Sequence, residues 1–199
     1  MPLIDSRESS EPIALFRRWL RQAERAGALQ PDAMTLATAG PDGAPSARMV
    51  LFKGLDDGAF LFYSNYESRK GRDLAANRKA ALVFYWSVTR HQVRVSGTVR
   101  RVSRAASLDY FHRRPRGAQL SALASRQSRV VASRGVLEEA VAELDQRYPA
   151  AVPIPADWGG YALRPAWIEF WENREDRLHD RLRYVRLPGG AWRIERLAP

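Results

Sequence analysis

Cysteine is absent from the 199 residues. That excludes disulfides, thiolate nucleophiles and cysteine-ligated zinc. The three histidines, His91, His112 and His179, stand far apart with no metal-ligand spacing, so no metal site is expected. Lysine is equally scarce, at Lys53, Lys70 and Lys79. No apolar run approaches the roughly 18 residues of a membrane span, so no membrane partner is expected. The polar stretch Met1 to Pro12 lacks the apolar segment of a secretory signal, which makes the cytoplasm the expected compartment. Also missing are the G-x-G-x-x-G dinucleotide fingerprint, the G-x-x-x-x-G-K-[ST] phosphate loop and the G-x-S-x-G nucleophile elbow.

What the sequence has in excess is arginine, which supplies nearly all of a net charge of +10. The arginines are spread along the chain, with no basic tail and no helix-turn-helix or zinc-finger pattern, so nucleic acid is not expected as a partner. A guanidinium fork also matches phosphate and carboxylate, so some of these side chains are candidates for gripping small anions. Apolar residues make up 45% of the chain, enough at this length for one domain with its own core.

The apolar rhythm begins at helical spacing. Ser10 to Gly27 is predicted as an amphipathic helix, with Ile13, Phe16, Leu20 and Ala23 on one face, Leu15 and Trp19 beside it, Ser10 as cap and Gly27 as stop. The rhythm then changes to alternation. Strands are predicted at 33–39, 46–53 and 59–64, separated by Asp42-Gly43 and Asp57-Gly58 turns, and again at 80–86 and 91–102, with Gly97 as a candidate bulge. Helices are predicted at 68–77, 105–113 and 133–148. Two last strands, near 161–171 and 183–197, are interrupted by Pro165 and by Pro188-Gly189-Gly190. Short strands in hairpin rhythm with inserted helices give an α+β fold, mainly β, built on an antiparallel barrel. The first fourteen residues read as a short flexible segment and residues 15–199 as a single domain.

Candidate chemistry lies in clusters of cations and small polar residues at strand ends. In the strand Arg48-Met49-Val50-Leu51-Phe52-Lys53, alternation puts Arg48, Val50 and Phe52 on one face and the other three on the opposite face. In the run from Tyr63 and Ser64 to Arg69 and Lys70 a strand ends and a helix begins. Its first N–H groups with the two cations suit a phosphate, and a well-capped surface helix explains them equally well. Further clusters are Tyr110 to Gly117, Arg126-Gln127-Ser128, and Trp171 to Arg181. Taken singly, each reads more readily as a solvated basic turn than as a site, and Trp171 alone more readily as core than as a cofactor contact.

Order and spacing together are more specific. The segments SARMVLFKG (46–54), FYSNYESRKGRDLAAN (62–77), ALVFYW (81–86), QVRVSG (92–97), YFHRRPRG (110–117), SRQS (125–128), WGGY (158–161), IEFW (168–171), RLHDR (177–181) and WRIERLAP (192–199) resemble, in this order, the pyridoxamine/pyridoxine 5′-phosphate oxidase family. The resemblance runs from about Leu15 to Pro199 and implies a homodimeric split β-barrel that binds flavin mononucleotide (FMN) between its subunits. It implies that Arg48, Met49, Val50, Leu51, Phe52, Lys53, Tyr63, Ser64, Arg69, Lys70, Gln92, Gln127, Ser128, Trp171 and Arg181 surround FMN. It implies that Lys53, Tyr110 and Arg114 hold a substrate phosphate, and that Arg177 and His179 sit at the substrate's reactive side as the catalytic candidates. The implied reaction oxidises a phosphorylated B6 vitamer, pyridoxamine or pyridoxine 5′-phosphate, to pyridoxal 5′-phosphate. Molecular oxygen is the acceptor and hydrogen peroxide the product.

Three positions depart from the family pattern. Ala118 stands where a serine hydroxyl is expected for the substrate phosphate, His91 replaces an arginine, and the segment before Leu15 is short and lacks a basic stretch. All three bear more on the substrate than on the flavin. Two alternatives follow: a related FMN oxidase acting on phenazine precursors, which lack the phosphate, and a flavin-binding module without turnover. Retention of the RLHDR segment speaks against the second.

Overall fold

The alternating segments form an antiparallel sheet of nine strands with five helices around it, in a computed structural model that describes residues 11–199. In chain order the elements are α1 (Pro12–Arg25), β1 (Ala33–Ala39), β2 (Pro45–Leu51), β3 (Leu55–Asp56), β4 (Ala59–Asn65), α2 (Arg69–Ala76), β5 (Lys79–Trp86), β6 (His91–Arg101), α3 (Arg104–His112), α4 (Arg116–Ala124), α5 (Arg134–Arg147), β7 (Trp158–Glu172), β8 (Asp180–Arg186) and β9 (Trp192–Arg196). The sheet runs β2-β1-β5-β6-β7-β4-β3, with β8 on β7 and β9 on β8. Its two ends, β2 and β3, are consecutive in the chain. The link between them pairs with β4, where Lys53 N–H donates to the Leu61 carbonyl (2.8 Å) and Leu61 N–H to that of Gly54 (2.9 Å). The sheet thereby curls into a split barrel.

β7 explains the split. One of its edges pairs with β6 from Tyr161 to Glu172. The other pairs with β4 from Trp158 to Leu163 and with β8 from Trp167 to Glu172. Pro165 was expected to interrupt this strand, yet the strand passes through it. Proline has no N–H to give, and Pro165 sits where the ladder changes partner. It faces Gly97, where the β6 register shifts, so the predicted bulge is present. A β-carbon at Gly97 would overlap the Arg164 carbonyl, which is why glycine stands there.

α1 closes the barrel. Leu15, Phe16, Trp19 and Ala23 are its buried core residues, while Ile13 and Leu20 lie at the margin, so the inward face is rotated from the predicted one. The Phe16 ring meets Phe60, Phe84 and Phe52 at 4.8, 5.0 and 5.3 Å between centroids. Truncating such a ring typically costs about 3–5 kcal/mol. The predicted cap Ser10 and most of the predicted N-terminal segment lie outside the described residues. The observed cap is Glu11, with no side-chain bond, followed by Pro12, whose fixed φ suits a first helical position. Gly27, at φ +82°, ends the helix as predicted.

A second, smaller core joins Phe111, Leu120, Val152 and Trp158. Here α4 follows Pro115, in a stretch where no helix was predicted. Arg104 fixes the proline-rich connection before β7 by donating to the carbonyls of Ile154, Pro155 and Trp158 at 2.9–3.0 Å. No described helix is long and apolar enough to cross a membrane.

Candidate functional site

A cleft of about 810 Å³ opens where β2, the end of β4, the start of α2, α4 and the loop after α4 converge. That size suits a cofactor with a small substrate. Arg48, Met49, Val50, Leu51 and Lys53 line it from the β2 side. Tyr63, Ser64, Arg69 and Lys70 line it from β4 and α2, and Tyr110, Arg114, Gln127 and Ser128 from the helical side. Sequence segments up to eighty residues apart thus meet as expected.

Each cation is placed by local rules. Ser68 caps α2 by accepting from Gly71 N–H, and a β-carbon at Gly71 would overlap the Tyr66 backbone, so the helix can start only this way. This turn buries Lys70, whose ammonium donates to Gln127 Oε1 (2.8 Å), Ser64 Oγ (3.2 Å) and Ser68 Oγ (3.3 Å), none of them a carboxylate. Burial, with the Arg48 guanidinium as a nearby like charge, pulls its pKa down to about 8. Arg69 N–H donates to Ser128 Oγ (3.2 Å), tying the loop after α4 to the start of α2. Arg48 donates to Thr38 Oγ1 (2.7 Å), Ser46 Oγ (2.6 Å) and the Leu36 carbonyl (3.2 Å), and reaches Asp73 at 3.8 Å. Burial lowers its pKa, against the opposing pull of Asp73.

At the other end of the cleft, aromatic rings hold the cations. Tyr63 stacks on Tyr110 at 3.8 Å between centroids, and burial followed by the Tyr110 hydroxyl raises its pKa. The Arg114 guanidinium lies 4.8 Å over the Trp158 ring. Its Nη1 is buried with no hydrogen-bond partner, and desolvation lowers its pKa. Lys53 pairs with Asp32 at 2.8 Å. A buried guanidinium N–H without an acceptor is costly unless a ligand supplies one.

The remaining expected residues lie elsewhere. Phe52 is in the barrel core, because alternation from Arg48 through Val50 carries its side chain inward once the strand leaves the cleft. Gln92, Trp171 and Arg181 form a row across three adjacent strands, Gln92 opposite Trp171 and Trp171 opposite Arg181. His179 packs against Trp171 at 4.8 Å between ring centroids, and Arg177 stands in the β7–β8 turn at φ +63°. None of these five lines the cleft of its own chain. Arg181 grips the buried Glu169 through two nitrogens at 2.9 and 3.0 Å, and Arg94 reaches the same carboxylate at 3.3 Å.

Sequence reasoning missed Trp158, Ser121, Ala122 and Ser125, which also line the cleft. Three of them lie on or just after α4, and the available signal was the run Ala118-Gln119-Leu120-Ser121-Ala122-Leu123-Ala124, which is rich in strong helix formers.

Comparison with known proteins agrees with this arrangement. Residues 20–148 match the family model described as pyridoxamine 5′-phosphate oxidase. Residues 158–199 match that of the pyridoxine 5′-phosphate oxidase C-terminal dimerisation region. The pyridoxine/pyridoxamine 5′-phosphate oxidase of Salinibacter ruber is 56% identical over 194 residues, covering 96% of this chain and 90% of that protein. The protein of the same name from Rubrobacter xylanophilus is 54% identical over 190 residues, covering 95% and 87%. Among solved structures, PhzG from Burkholderia lata, in complex with tetrahydrophenazine-1-carboxylic acid, superposes with a TM-score of 0.91 at 36% identity, over 96% of this chain and 94% of that one. With ten ordered motifs, a cationic cleft and two family models that together span most of its length, the chain belongs to the pyridoxamine 5′-phosphate oxidase family.

Proposed function

We propose that the cationic cleft of one protomer and the Gln92–Trp171–Arg181 row of a second copy together enclose FMN and a phosphorylated substrate. The protein is an FMN-dependent oxidase that forms pyridoxal 5′-phosphate from pyridoxamine or pyridoxine 5′-phosphate. The observation that carries the site is the cleft's charge. Lys70 is buried without a carboxylate and Arg114 keeps an unpaired buried N–H, so the cleft fits phosphate groups at two places.

Bound FMN supplies the two-electron acceptor, and oxygen restores it with release of hydrogen peroxide. Arg48, Arg69 and Lys70, with Ser64, Gln127 and Ser128, hold the flavin's phosphate end. Lys53, Tyr110 and Arg114 hold the phosphate of the substrate. Met49, Val50 and Leu51 give the cleft an apolar wall. Arg177 and His179 of the second copy orient the reacting amine or alcohol. The Arg177 guanidinium offers donors and no acceptor, so it acts by orientation and charge. The absence of these two side chains from the cleft of their own chain supports a shared site, as does the match of residues 158–199 to a dimerisation region. Residues 15–199 act as one unit within this homodimer, in the cytoplasm.

A phenazine-type substrate is the competing reading, favoured by Ala118 and by the likeness to PhzG. The unpaired Arg114 N–H favours the phosphorylated substrate. The test is anaerobic addition of pyridoxamine 5′-phosphate to the purified yellow protein. Bleaching of the flavin, then one peroxide per substrate on admitting oxygen, is the expected result. Flavin that stays oxidised would exclude this activity.

A further inference from the structure

The turn between β7 and β8 carries His179, and its hydrogen bonds restrict which ring nitrogen holds the proton. Arg174 N–H donates to His179 Nδ1 at 3.1 Å. A backbone amide is only a donor, so the nitrogen facing it must be bare. The proton of the neutral ring is then on Nε2, which is left as the ring's hydrogen-bond donor.

The same residue closes the turn with its side chain. Arg174 Nε and Nη2 both donate to Asp180 Oδ2, at 2.9 and 2.7 Å, and its guanidinium lies 3.7 Å from Glu172. Arg196 Nη1 on β9 takes the other Asp180 oxygen at 2.7 Å, so both carboxylate oxygens are engaged. Within the turn Arg177 N–H donates to the Arg174 carbonyl (3.2 Å) and Leu178 N–H to Asp176 Oδ1 (3.0 Å). Arg177 itself adopts φ +63°, a left-handed conformation that is strained for a residue with a β-carbon and persists only where neighbours enforce it.

We infer that Arg174 is a positioning residue: its backbone N–H fixes His179 as the Nε2–H tautomer, and its grip on Asp180 holds the turn that makes this contact. This rests on the placement of His179 at the substrate proposed above. There, a fixed Nε2–H presents a donor to the substrate in every turnover, whereas a free ring would divide its population between two tautomers and two orientations. Asp180 serves the tautomer through Arg174 and the turn, with no direct bond to the ring.

The test is a two-bond ¹H–¹⁵N spectrum of the FMN-loaded protein labelled in histidine, with His179 assigned from the signal lost in His179→Gln. The expected pattern has a bare Nδ1 and a protonated Nε2. In Arg174→Met the pattern should shift toward a mixture of tautomers. Anaerobic flavin reduction by pyridoxamine 5′-phosphate should slow about tenfold, with FMN affinity unchanged. Arg174→Lys, which restores the charge without the two-nitrogen grip, should fall between. A protonated Nδ1 in the wild-type spectrum would overturn the inference, as would an Arg174→Met spectrum and rate equal to wild type. A wild-type reduction rate in His179→Gln would instead overturn the role given to His179, because that variant keeps a side-chain donor but cannot reproduce a tautomer-locked ring.

Discussion

The cleft is lined by arginines and lysines and the β7–β8 end by arginines alone. In the cleft Lys53 and Arg48 keep Asp32 and Asp73, but Lys70 and Arg114 are handled in the opposite way to the cations of the strand end. In the cleft, Lys70 has hydroxyl and amide oxygens as partners, and Arg114 is left with an unpaired buried N–H. At the strand end, Arg181 and Arg94 share Glu169, and Arg174 and Arg196 share Asp180. A cation without a counter-charge costs desolvation energy until an anion arrives, whereas a neutralised cation only fixes geometry. The first region is arranged to bind phosphate and the second to hold side chains in place.

The largest effect should come from stripping the cleft of charge. The double variant Arg69→Ala, Lys70→Ala removes two charge-assisted bonds to a phosphate, each worth about 1.5–3 kcal/mol, so FMN affinity should fall about a hundredfold or more. The melting temperature of the FMN-free protein should not fall, because a buried ammonium without a carboxylate is itself a burden. Glu169→Gln should do the reverse. It leaves two partly exposed arginines without their carboxylate, so stability should drop by about 1–2 kcal/mol while FMN affinity changes less than tenfold. Fluorescence titration and thermal unfolding of both variants decide this. Equal losses of affinity would erase the distinction between the regions.

Titration sharpens the contrast. His91, opposite Glu172 in the sheet, stacks on Trp19 at 3.9 Å with Nδ1 unpaired, and burial lowers its pKa to about 4. An unfolded histidine titrates near 6.5. Between those values the unfolded chain binds the extra proton, so stability is lost as pH falls from about 6.5 toward 4, by at most about 3 kcal/mol. His91→Phe should flatten that limb. Lys70 acts in the same direction in a higher window. Its folded pKa of about 8 lies below the unfolded value near 10.4. The fold therefore gains stability as pH rises through that window, while FMN affinity falls once the ammonium deprotonates. Unfolding and FMN titrations from pH 4 to 10 should separate the two limbs, and Lys70→Arg should remove the alkaline loss of affinity.

Much of this was legible in the sequence, for identifiable reasons. Alternation located the strands and Gly97 marked the bulge, because a period of two and a missing β-carbon are local properties. The side of the sheet facing the core is a tertiary property, so the alternation that grouped Phe52 with Arg48 could not say that Phe52 leaves the cleft. α4 was missed because its nine residues bury only Leu120, leaving little helical apolar rhythm to detect. The row Gln92–Trp171–Arg181 depends on the registers of three strands, and the pairing of Arg174 with Asp180 on a turn; neither is written in spacing. The contrast between unpaired and neutralised cations is likewise invisible in a list of basic residues.

The smallest expected effect tests the substrate end of the cleft. Ala118 lies in the first turn of α4 and does not line the cleft, whereas Ser121, one turn further along, does. The family resemblance nevertheless expects a hydroxyl at position 118 for the phosphate assigned to Arg114 and Tyr110. A hydrogen bond to a charged acceptor is worth about 1.5–3 kcal/mol, but water already solvating the phosphate recovers much of it. Serine also costs a few tenths of a kcal/mol relative to alanine within a helix. Ala118→Ser should therefore lower the Michaelis constant for pyridoxamine 5′-phosphate only about twofold to fivefold, with the maximal rate and FMN affinity unchanged. The gain should shrink as ionic strength rises and vanish for unphosphorylated pyridoxamine. An equal gain for both substrates would place the new hydroxyl away from the phosphate. A raised constant for the phosphorylated substrate alone would mean that Arg114 and its neighbours accept the phosphate in a pocket already filled, with Ser121 supplying the hydroxyl that Ala118 lacks.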